Sequence, residues 1–459
     1  MHCFLVFLLF VLPVFSYDII VNGSGVVGVW SAYSLSEELE KEGLGGHVVI
    51  HLVSQVDGLE NASEEEILVF DQETSGWGPA GLQIEETIPW NGKNLSSNFF
   101  VSPDIGKEEK GVVDQFINWH ENHAENEESR FAAYGSINRF AKEQWFAFQA
   151  TLRGDERKAL DFFLEGAWAL KESDQAIVEL MRTHKGDPCF DTRLLAQSVP
   201  FCSSYVLENR LKGFLITDHG MIDSQKLREW MWGKLLEKRG GKPAVILHLG
   251  KRVEGLLMSE EGVCSGVKFE DGSTQKADLT LLATGYGTKA LVADLGIDLP
   301  LCKLWGAAVK AELKEEAINH FSGPLGLNGL YVMLLDSKKI TAVGPHSFFL
   351  PQDTVPAPLL FKGRLREALI SRFQDKLDAT TIQYYLAPRT VVPDELPVID
   401  LEHTIPNLLI LLPTYHLGLT QSIALAKLAA MHTLNKLGKN QAMPLSLEPY
   451  SVDRFSQKE

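Results

Sequence analysis

The chain has 459 residues, 45% hydrophobic and 22% charged, which suits two domains or one large domain with an elaborate insertion, and it can bury a full core. Its 60 acids against 43 Lys and Arg give a formal net charge of −17, and no basic cluster interrupts that surface, so a nucleic-acid backbone is excluded as a partner. The five cysteines are scattered with no CxxC spacing, which excludes a disulfide framework or a zinc site and predicts that four of them pack as small apolar residues.

Residues 1–16, "MHCFLVFLLFVLPVFS", are almost wholly apolar but fall short of the roughly 20 residues a membrane span needs. Ser16, with Val14 two before it, suits a secretory cleavage site; the missing Lys or Arg leaves a retained apolar anchor, or residues ahead of a cytosolic enzyme, as the other readings. Export or peripheral membrane association follows from the first two, a cytoplasmic location from the last. No other stretch is long enough to span a bilayer.

Asp18 to Val21 then reads as a strand running straight into Gly23, Gly25 and Gly28. Gly23 permits a tight turn, Gly25 and Val26 let backbone amides approach a pyrophosphate, and Gly28 lets the following helix lie close to the sheet. That helix is predicted to run to about Glu42, with Val27, Leu35 and Leu39 on one face and Gly43 ending it. "HVVIHLV" supplies the second strand of a βαβ unit. Such units end that strand with an acid that accepts from the ribose hydroxyls. Here His51 occupies the neighbourhood and is the predicted ribose contact, while Asp57 is the nearest following acid and no Arg stands ready for a 2′-phosphate.

Further along, "ENASEEE" at 60–66 reads as a solvated loop insertion, and Asn61 and Asn94 begin N-x-Ser triplets. His120 and His123 lie one helical turn apart but lack a third metal ligand, so they read as a solvated helix face and no metal is expected. Residues 140–170, rich in Phe and Trp at helical spacing, are predicted to pack as core helices. From Trp230 to Ser273 the pattern gives helix, strand and hairpin meander, and "KADLTLLATGYGT" gives a buried strand ending in Ala283, Thr284 and Gly285. In "IQYYLAP" alternate faces put Tyr384 or Tyr385 toward a site, and the choice between them stays open. The last helix opens at Gly418, Leu419 and Thr420, whose amides can stabilise negative charge.

The segment "LAPRTVVPDELPVIDLEHTIPNLLILLPTYHLGLTQSIALAKLAA" resembles the closing segment of the D-amino-acid oxidase superfamily of FAD-dependent oxidoreductases, especially D-amino-acid dehydrogenases and glycine oxidases. Arg389, Pro393, Asp394 and Pro397 match its Arg-Pro-x-Thr-Pro-Asp-x-x-Pro run in order, and "FLITDHGMIDSQKLREWMW" and "LGIDLPLCKLWGAAVKAEL" follow the dehydrogenase pattern. "TSGWGPAGLQ" is similar to the small-residue loop that wraps the flavin, which implies cofactor contacts at Ser75, Ala80 and Gly81. The resemblance also places Val253 against the adenine and Thr284 and Gly285 close to FAD. The implied fold class is α/β: a Rossmann-like FAD-binding domain of the two-dinucleotide-binding-domain type, interleaved with an α+β substrate domain built on a mixed sheet. FAD-binding pieces are expected at 17–90, 200–300 and 386–440, substrate-domain pieces at 100–199 and 301–385, and a tail at 441–459.

In that superfamily the flavin accepts a hydride from the substrate α-carbon, and an arginine fork binds the α-carboxylate. By resemblance the arginine is Arg389; the alternative reading is a structural salt bridge to Asp394 or Glu395. Departures stand beside it. "PTYHLG" replaces the Gly-His-Gly loop, leaving Tyr415 and His416 as candidates to bond substrate or flavin; His416 also reads as a satisfied histidine at a helix start. Trp305 stands where the family has a lysine, and Thr390 where it has a proline. The expected function is oxidation of an amine or amino acid, with oxygen or a quinone as electron acceptor. The alternatives are an FAD enzyme for a secondary amine or 2-hydroxy acid, and a non-catalytic flavin-fold binding protein.

Overall fold

The computed structural model describes residues 16–55, 82–83, 99–101, 106–121, 127–162, 164, 166–183, 186–217, 219–220, 222–238, 240–316, 324–327, 330–334, 338–349, 359–412 and 417–455. Residues 1–15, the acidic stretch, both Asn triplets and His123 lie outside them.

The chain opens with strand β1 (Tyr17–Asn22), helix α1 (Val26–Lys41) and strand β2 (Val48–Val53). Residue Gly43, at φ +70°, ends α1 as its sequence predicts: the Leu44 amide donates to the Leu39 carbonyl at 2.8 Å, closing the helix with a left-handed residue. Strands β3 (Ala244–His248), β4 (Leu279–Leu282), β5 (Val398–Leu401) and β6 (Leu408–Leu412) join later. Among the described residues these six form one sheet in the order β5-β6-β4-β1-β2-β3, parallel except for β5. The chain steps outward from β1 through β2 to β3, then returns to the other side of β1 as β4. The order therefore reverses between β1 and β4, the place where open α/β sheets bind ligands beyond their strand ends.

Both faces of this sheet are covered, which is why its strands read as nearly continuous apolar runs. Ile19, Val21, Ile50 and Leu52 face α1, helix α2 (Glu127–Thr151) and helix α3 (Gly418–Lys436) in one core. Ile20 and Val53 face the other way, onto Val267 and Phe269 of a three-stranded meander, 253–258, 264–269 and 274–276. The first part of the aromatic stretch packs in helices as predicted, with Trp30 meeting Trp145 edge-on at 5.4 Å and Phe148 at 5.0 Å, while its end, Ala167–Lys171, is a strand of the second sheet.

The second sheet, nine strands among the described residues, takes 377–391, 302–313, 339–349, 330–334, 324–327, 167–171, 212–216 and 186–189 in spatial order, with 99–101 paired beside 339–349. Helix Leu359–Phe373 covers one face, packing on Trp305, Val309 and Tyr384.

Two segments sit on the other side of the expected boundaries. Strand Lys212–Ile216, placed by sequence with the FAD-binding pieces, pairs with 167–171 and 186–189 in the second sheet. Helix α2, placed with the substrate domain, packs on the first sheet: Trp145 Nε1 donates to the Thr420 carbonyl at 2.9 Å and Gln421 Nε2 to Asn138 Oδ1 at 3.2 Å. In both cases the partner is remote in sequence, so local pattern carries no sign of it. The tail folds back as well, with Tyr450 buried and its hydroxyl donating to the Ala133 carbonyl at 2.6 Å. Cys189, Cys202, Cys264 and Cys302 are buried free thiols, as expected of small apolar residues. Among the described residues no helix is long and apolar enough to cross a membrane.

Glu402 ties the β5–β6 turn to the end of α3. Its carboxylate meets His432 Nε2 at 2.6 Å, accepts the Asn407 amide at 2.6 Å, and also accepts from Lys436. Burial pushes its carboxyl up, but the hydrogen bonds from His432, Lys436 and Asn407 outweigh burial and hold it at about 2, against an ordinary 4.5. A folded value below the unfolded one means the stabilisation is complete above pH 4.5 and is lost as pH falls toward 2. Glu402→Gln is expected to lower the unfolding free energy at pH 7 by about 1–3 kcal/mol. In denaturant titrations the gap to wild type should narrow below pH 4.5; a constant gap would remove Glu402 from this role.

Candidate functional site: a dinucleotide cradle at the sheet's reversal point

At the carboxyl end of β1 the backbone turns within van der Waals contact of its neighbours. Gly23 sits at φ +117°, donates to the Val53 carbonyl at 3.0 Å, and would carry any Cβ to 2.4 Å from the Ala283 carbonyl oxygen. A Cβ on Gly28 would lie 1.8 Å from the Gly23 carbonyl oxygen. Only glycine fits at either place, so α1 is drawn onto the strand end and β1 onto the end of β4. Gly25 is the N-cap of α1, extended at φ −67° and ψ 179°, with no side-chain cap and no acid in the first turn. The first intrahelical bond runs from Val29 to Gly25, so the preceding amides of Val26, Val27 and Gly28 point out of the helix start. Beside them the Asn22 amide nitrogen is buried with no hydrogen-bond partner. Uncapped helix amides and an orphaned donor at a strand reversal fit a dinucleotide diphosphate.

Helix α3 presents a second uncapped N-terminus. Leu417 is its N-cap without a side-chain bond, and Gly418, Leu419 and Thr420 supply the opening amides. Because α1 follows β1 and α3 follows β6, strands that run parallel, both helix starts lie at the same edge of the sheet.

A chain of close contacts leads from the turn to the second sheet. After Ala283 and Thr284, Gly285 sits at φ +56°, and a Cβ there would stand 3.1 Å from Thr390 Oγ1. Thr284 Oγ1 and Thr288 Oγ1 share a hydrogen bond at 2.8 Å. Arg389, half-buried, pairs across from Leu304, and its Cζ and Nη2 would lie 2.7 Å from a Cβ on Gly306. Glycine inside a strand is what lets the guanidinium lie flat over the sheet. Of the two acids weighed as its salt-bridge partners, Asp394 takes Arg454 Nε at 2.8 Å and Glu395 lies 3.9 Å from Arg130 Nη2.

Register also separates the neighbours of Arg389. Trp305 pairs across from Pro388 and is buried with Val309 under helix 359–373, on the face opposite Arg389. Tyr384 packs on that same opposite face, where burial pushes its phenol up. Position 385 therefore falls on the strand face that carries Arg389.

His51 lies away from the predicted ribose contact. It is inside β2, opposite Ile20, with Nδ1 3.0 Å from His248 Nε2 and Nε2 3.7 Å from Asp18 Oδ1. Burial drives the imidazoles of both His51 and His248 below their ordinary value, against the pull of Asp18 on the first and with His51 and Lys251 adding to the effect on the second. The strand end is at Val53 and Ser54, and Ser54 Oγ meets Ser24 Oγ at 2.8 Å. Sequence reasoning missed Ser24, Ser54 and Gly306; a glycine inside the strand-like "LWGAAV" was the available signal for the last. Val253 packs against the Ile20–Val53 cluster, beside that strand end. Ser75, Ala80, Gly81, Tyr415 and His416 lie outside the described residues; the chain just after the first three, Leu82–Gln83, pairs with His219–Gly220.

The sequence model of the DAO family, described as FAD dependent oxidoreductase, matches residues 91–431. That span starts beyond the glycine turn. Solved structures reach across it. Glycine oxidase from Bacillus cereus ATCC 14579 superposes with a TM-score of 0.63 at 13% identity, covering 94% of this chain and 100% of that one. L-amino acid deaminase from Proteus myxofaciens gives 0.62 at 14%, covering 97% and 95%, and L-proline dehydrogenase from P. horikoshii gives 0.61 at 16%, covering 96% and 98%. At such identities the likeness is one of fold. No curated protein matches in sequence.

Two outcomes follow from the geometry. Gly28→Val puts carbon where the Gly23 carbonyl stands, and the purified variant is expected to lose its bound flavin absorbance while wild type keeps it; a fully yellow variant would mean the turn does not hold the cofactor. The His51–His248 pair, buried at His51 and half-buried at His248, resists protons that unfolded imidazoles accept near 6.5, so its stabilisation is present above that pH and lost as pH falls below it. The melting temperature should drop between about pH 7.5 and 5.5, with a shallower slope in His51→Gln or His248→Gln measured by circular dichroism.

Proposed function

Because the chain belongs to the DAO family of FAD dependent oxidoreductases, we propose that it oxidises an amine or amino acid, in the manner of a D-amino-acid dehydrogenase, with Arg389 holding the substrate carboxylate. FAD, when bound, supplies the two-electron acceptor, taking a hydride from the substrate α-carbon at flavin N5.

The chain's own residues do the rest. The amides of Gly25, Val26 and Gly28 receive the diphosphate, with Gly23 giving it backbone access and Thr284 and Gly285 lining the return from β4. Gly418, Leu419 and Thr420 direct the positive end of α3 toward the charge that develops on the reduced cofactor. Arg389 offers two parallel N–H donors, a fork matched to a carboxylate, and so fixes which substrate carbon faces the acceptor. Tyr415 and His416, just ahead of α3 in the sequence, are proposed to bond substrate or the flavin pyrimidine. The observation that carries the reading is the glycine turn at Gly23, Gly25 and Gly28 against the end of β4, with Gly285 bringing that end close to Thr390, the residue that follows Arg389 in the second sheet. The amino-acid chemistry in the names of the structurally similar proteins supports the substrate class.

Purified protein should be yellow, and anaerobic addition of a D-amino-acid panel should bleach it. Bleaching only by secondary amines or 2-hydroxy acids would move the substrate and keep the enzyme; yellow protein that nothing bleaches would indicate a binding protein. Arg389→Leu is expected to raise KM by about 10- to 100-fold, the loss of charge-assisted hydrogen bonds. Unchanged kinetics would take Arg389 out of the site.

A further inference from the structure

Between α2 and the C-terminal tail lies a groove of about 460 Å³, within the roughly 300–1,000 Å³ of small-molecule sites. Phe140 and Tyr450, both buried, give it an apolar lining together with Leu445 and Pro449. Its two walls are pinned. The Tyr450 hydroxyl donates to the Ala133 carbonyl at 2.6 Å, while Arg454 Nη1 donates to the Tyr450 carbonyl at 2.5 Å and its Nε to Asp394 at 2.8 Å. The space is therefore fixed by the fold. Arg139 and Glu143, both exposed and one turn apart on α2, line the same groove. Residues at this spacing hold their Cβ atoms roughly 5–6 Å apart, and opposite charges there often pair. Here no ion pair joins them, and among the described residues neither has another hydrogen-bond or ion-pair partner. Their order is part of the reason, since an acid ahead of a base along the helix is the favourable arrangement and this pair runs the other way.

We propose that this groove binds a free amino acid with an apolar side chain, its carboxylate on Arg139, its ammonium on Glu143, and its side chain against Phe140 and Tyr450. An amino acid carries both charges on one carbon, so a single ligand satisfies both groups, and a ligand with one charge leaves one of them unpaired. Being neutral overall, it meets no net repulsion from a chain with a formal charge of −17. The aromatic lining supplies apolar contact and the two charges fix orientation. No lining residue belongs to the second sheet, so the groove is separate from Arg389. It does not rest on the oxidation proposed above.

The test separates the two charges. Full-length wild type and its Arg389→Leu variant, in which the proposed carboxylate fork is gone, are titrated anaerobically by calorimetry with L-phenylalanine, phenylalaninamide and 3-phenylpropanoate. In the Arg389→Leu protein one equivalent of phenylalanine is expected to bind. The amide, which lacks the carboxylate, and the propanoate, which lacks the ammonium, should each bind about 3- to 10-fold more weakly, the worth of one exposed charge-assisted hydrogen bond. Adding Arg139→Gln should erase the penalty of the amide and keep that of the propanoate; adding Glu143→Gln should do the reverse. Both side chains are exposed, so folding is retained, and circular dichroism checks it. A merely apolar groove would not give this crossed pattern. Equal affinity for all three ligands, no binding of phenylalanine, or preferences that neither substitution moves would overturn the proposal. Wild type that shows the pattern yet is bleached by no substrate would lose the enzyme reading and keep this site.

Discussion

Two backbone contacts with no room for a side-chain carbon set the rest of the structure: Gly28 against the Gly23 carbonyl, and Gly23 against the Ala283 carbonyl. The first brings the start of α1 down onto the strand that precedes it. The second closes the ends of β1 and β4 together at the point where strand order reverses. Open amides at that reversal leave a site for a diphosphate, and the same contacts determine where α3, packed on α1, begins. A side chain at either glycine would push these elements apart by more than a rotamer change can absorb, because the opposing atoms are backbone.

A short crossover runs from the second sheet into the first. Strand 377–391 carries Arg389 and Thr390, and the chain then passes through Pro393–Pro397 directly into β5 of the first sheet. Along that passage Asp394 is gripped by Arg454 from the tail, and Glu395, buried at 3% exposure with φ +56°, faces Arg130 of α2. Buried ion pairs are weak sources of net stability, but removing one partner is costly, so they favour a single geometry over its competitors. Here that geometry sets the distance between an arginine on one sheet and the helix starts of the other. The α2 helix, expected with the substrate domain, and the C-terminal tail are parts of this clamp.

Local signals in the chain were sufficient where the constraint is local. Val21, the glycines and Gly43 specify a strand, a turn, a helix and its end within one continuous stretch, and the structure has each of them in place. Where a residue's role depends on a partner far along the chain, pattern was silent. "VVIHLV" is apolar but for His51 and does not mark its own end; the bond from the Gly23 amide to the Val53 carbonyl does, which leaves His51 inside the strand and Ser54 just past its end. Strand 212–216 and helix α2 changed sides for the same reason. The choice between Tyr384 and its neighbour needed the register with strand 302–313, which assigns Tyr384 to the helix-covered face.

Register also explains why the departures from the family pattern leave the cradle intact. Trp305 replaces a lysine, yet it points into the packing under helix 359–373 and not onto the face of Arg389, so the change alters a core and not the arginine's surroundings. Thr390 replaces a proline, and its hydroxyl lies against Gly285, where a larger residue would force the two sheets apart. Ser54, just past the end of β2, bonds Ser24 of the glycine turn through its hydroxyl. Each substitution preserves the backbone contact that its position serves while changing the side chain's chemistry. A chain that had lost the need for a dinucleotide would be under no such constraint at Gly23, Gly28 and Gly285 together, since each of these costs conformational entropy and is filled by glycine only because neighbouring backbone occupies the space a Cβ requires.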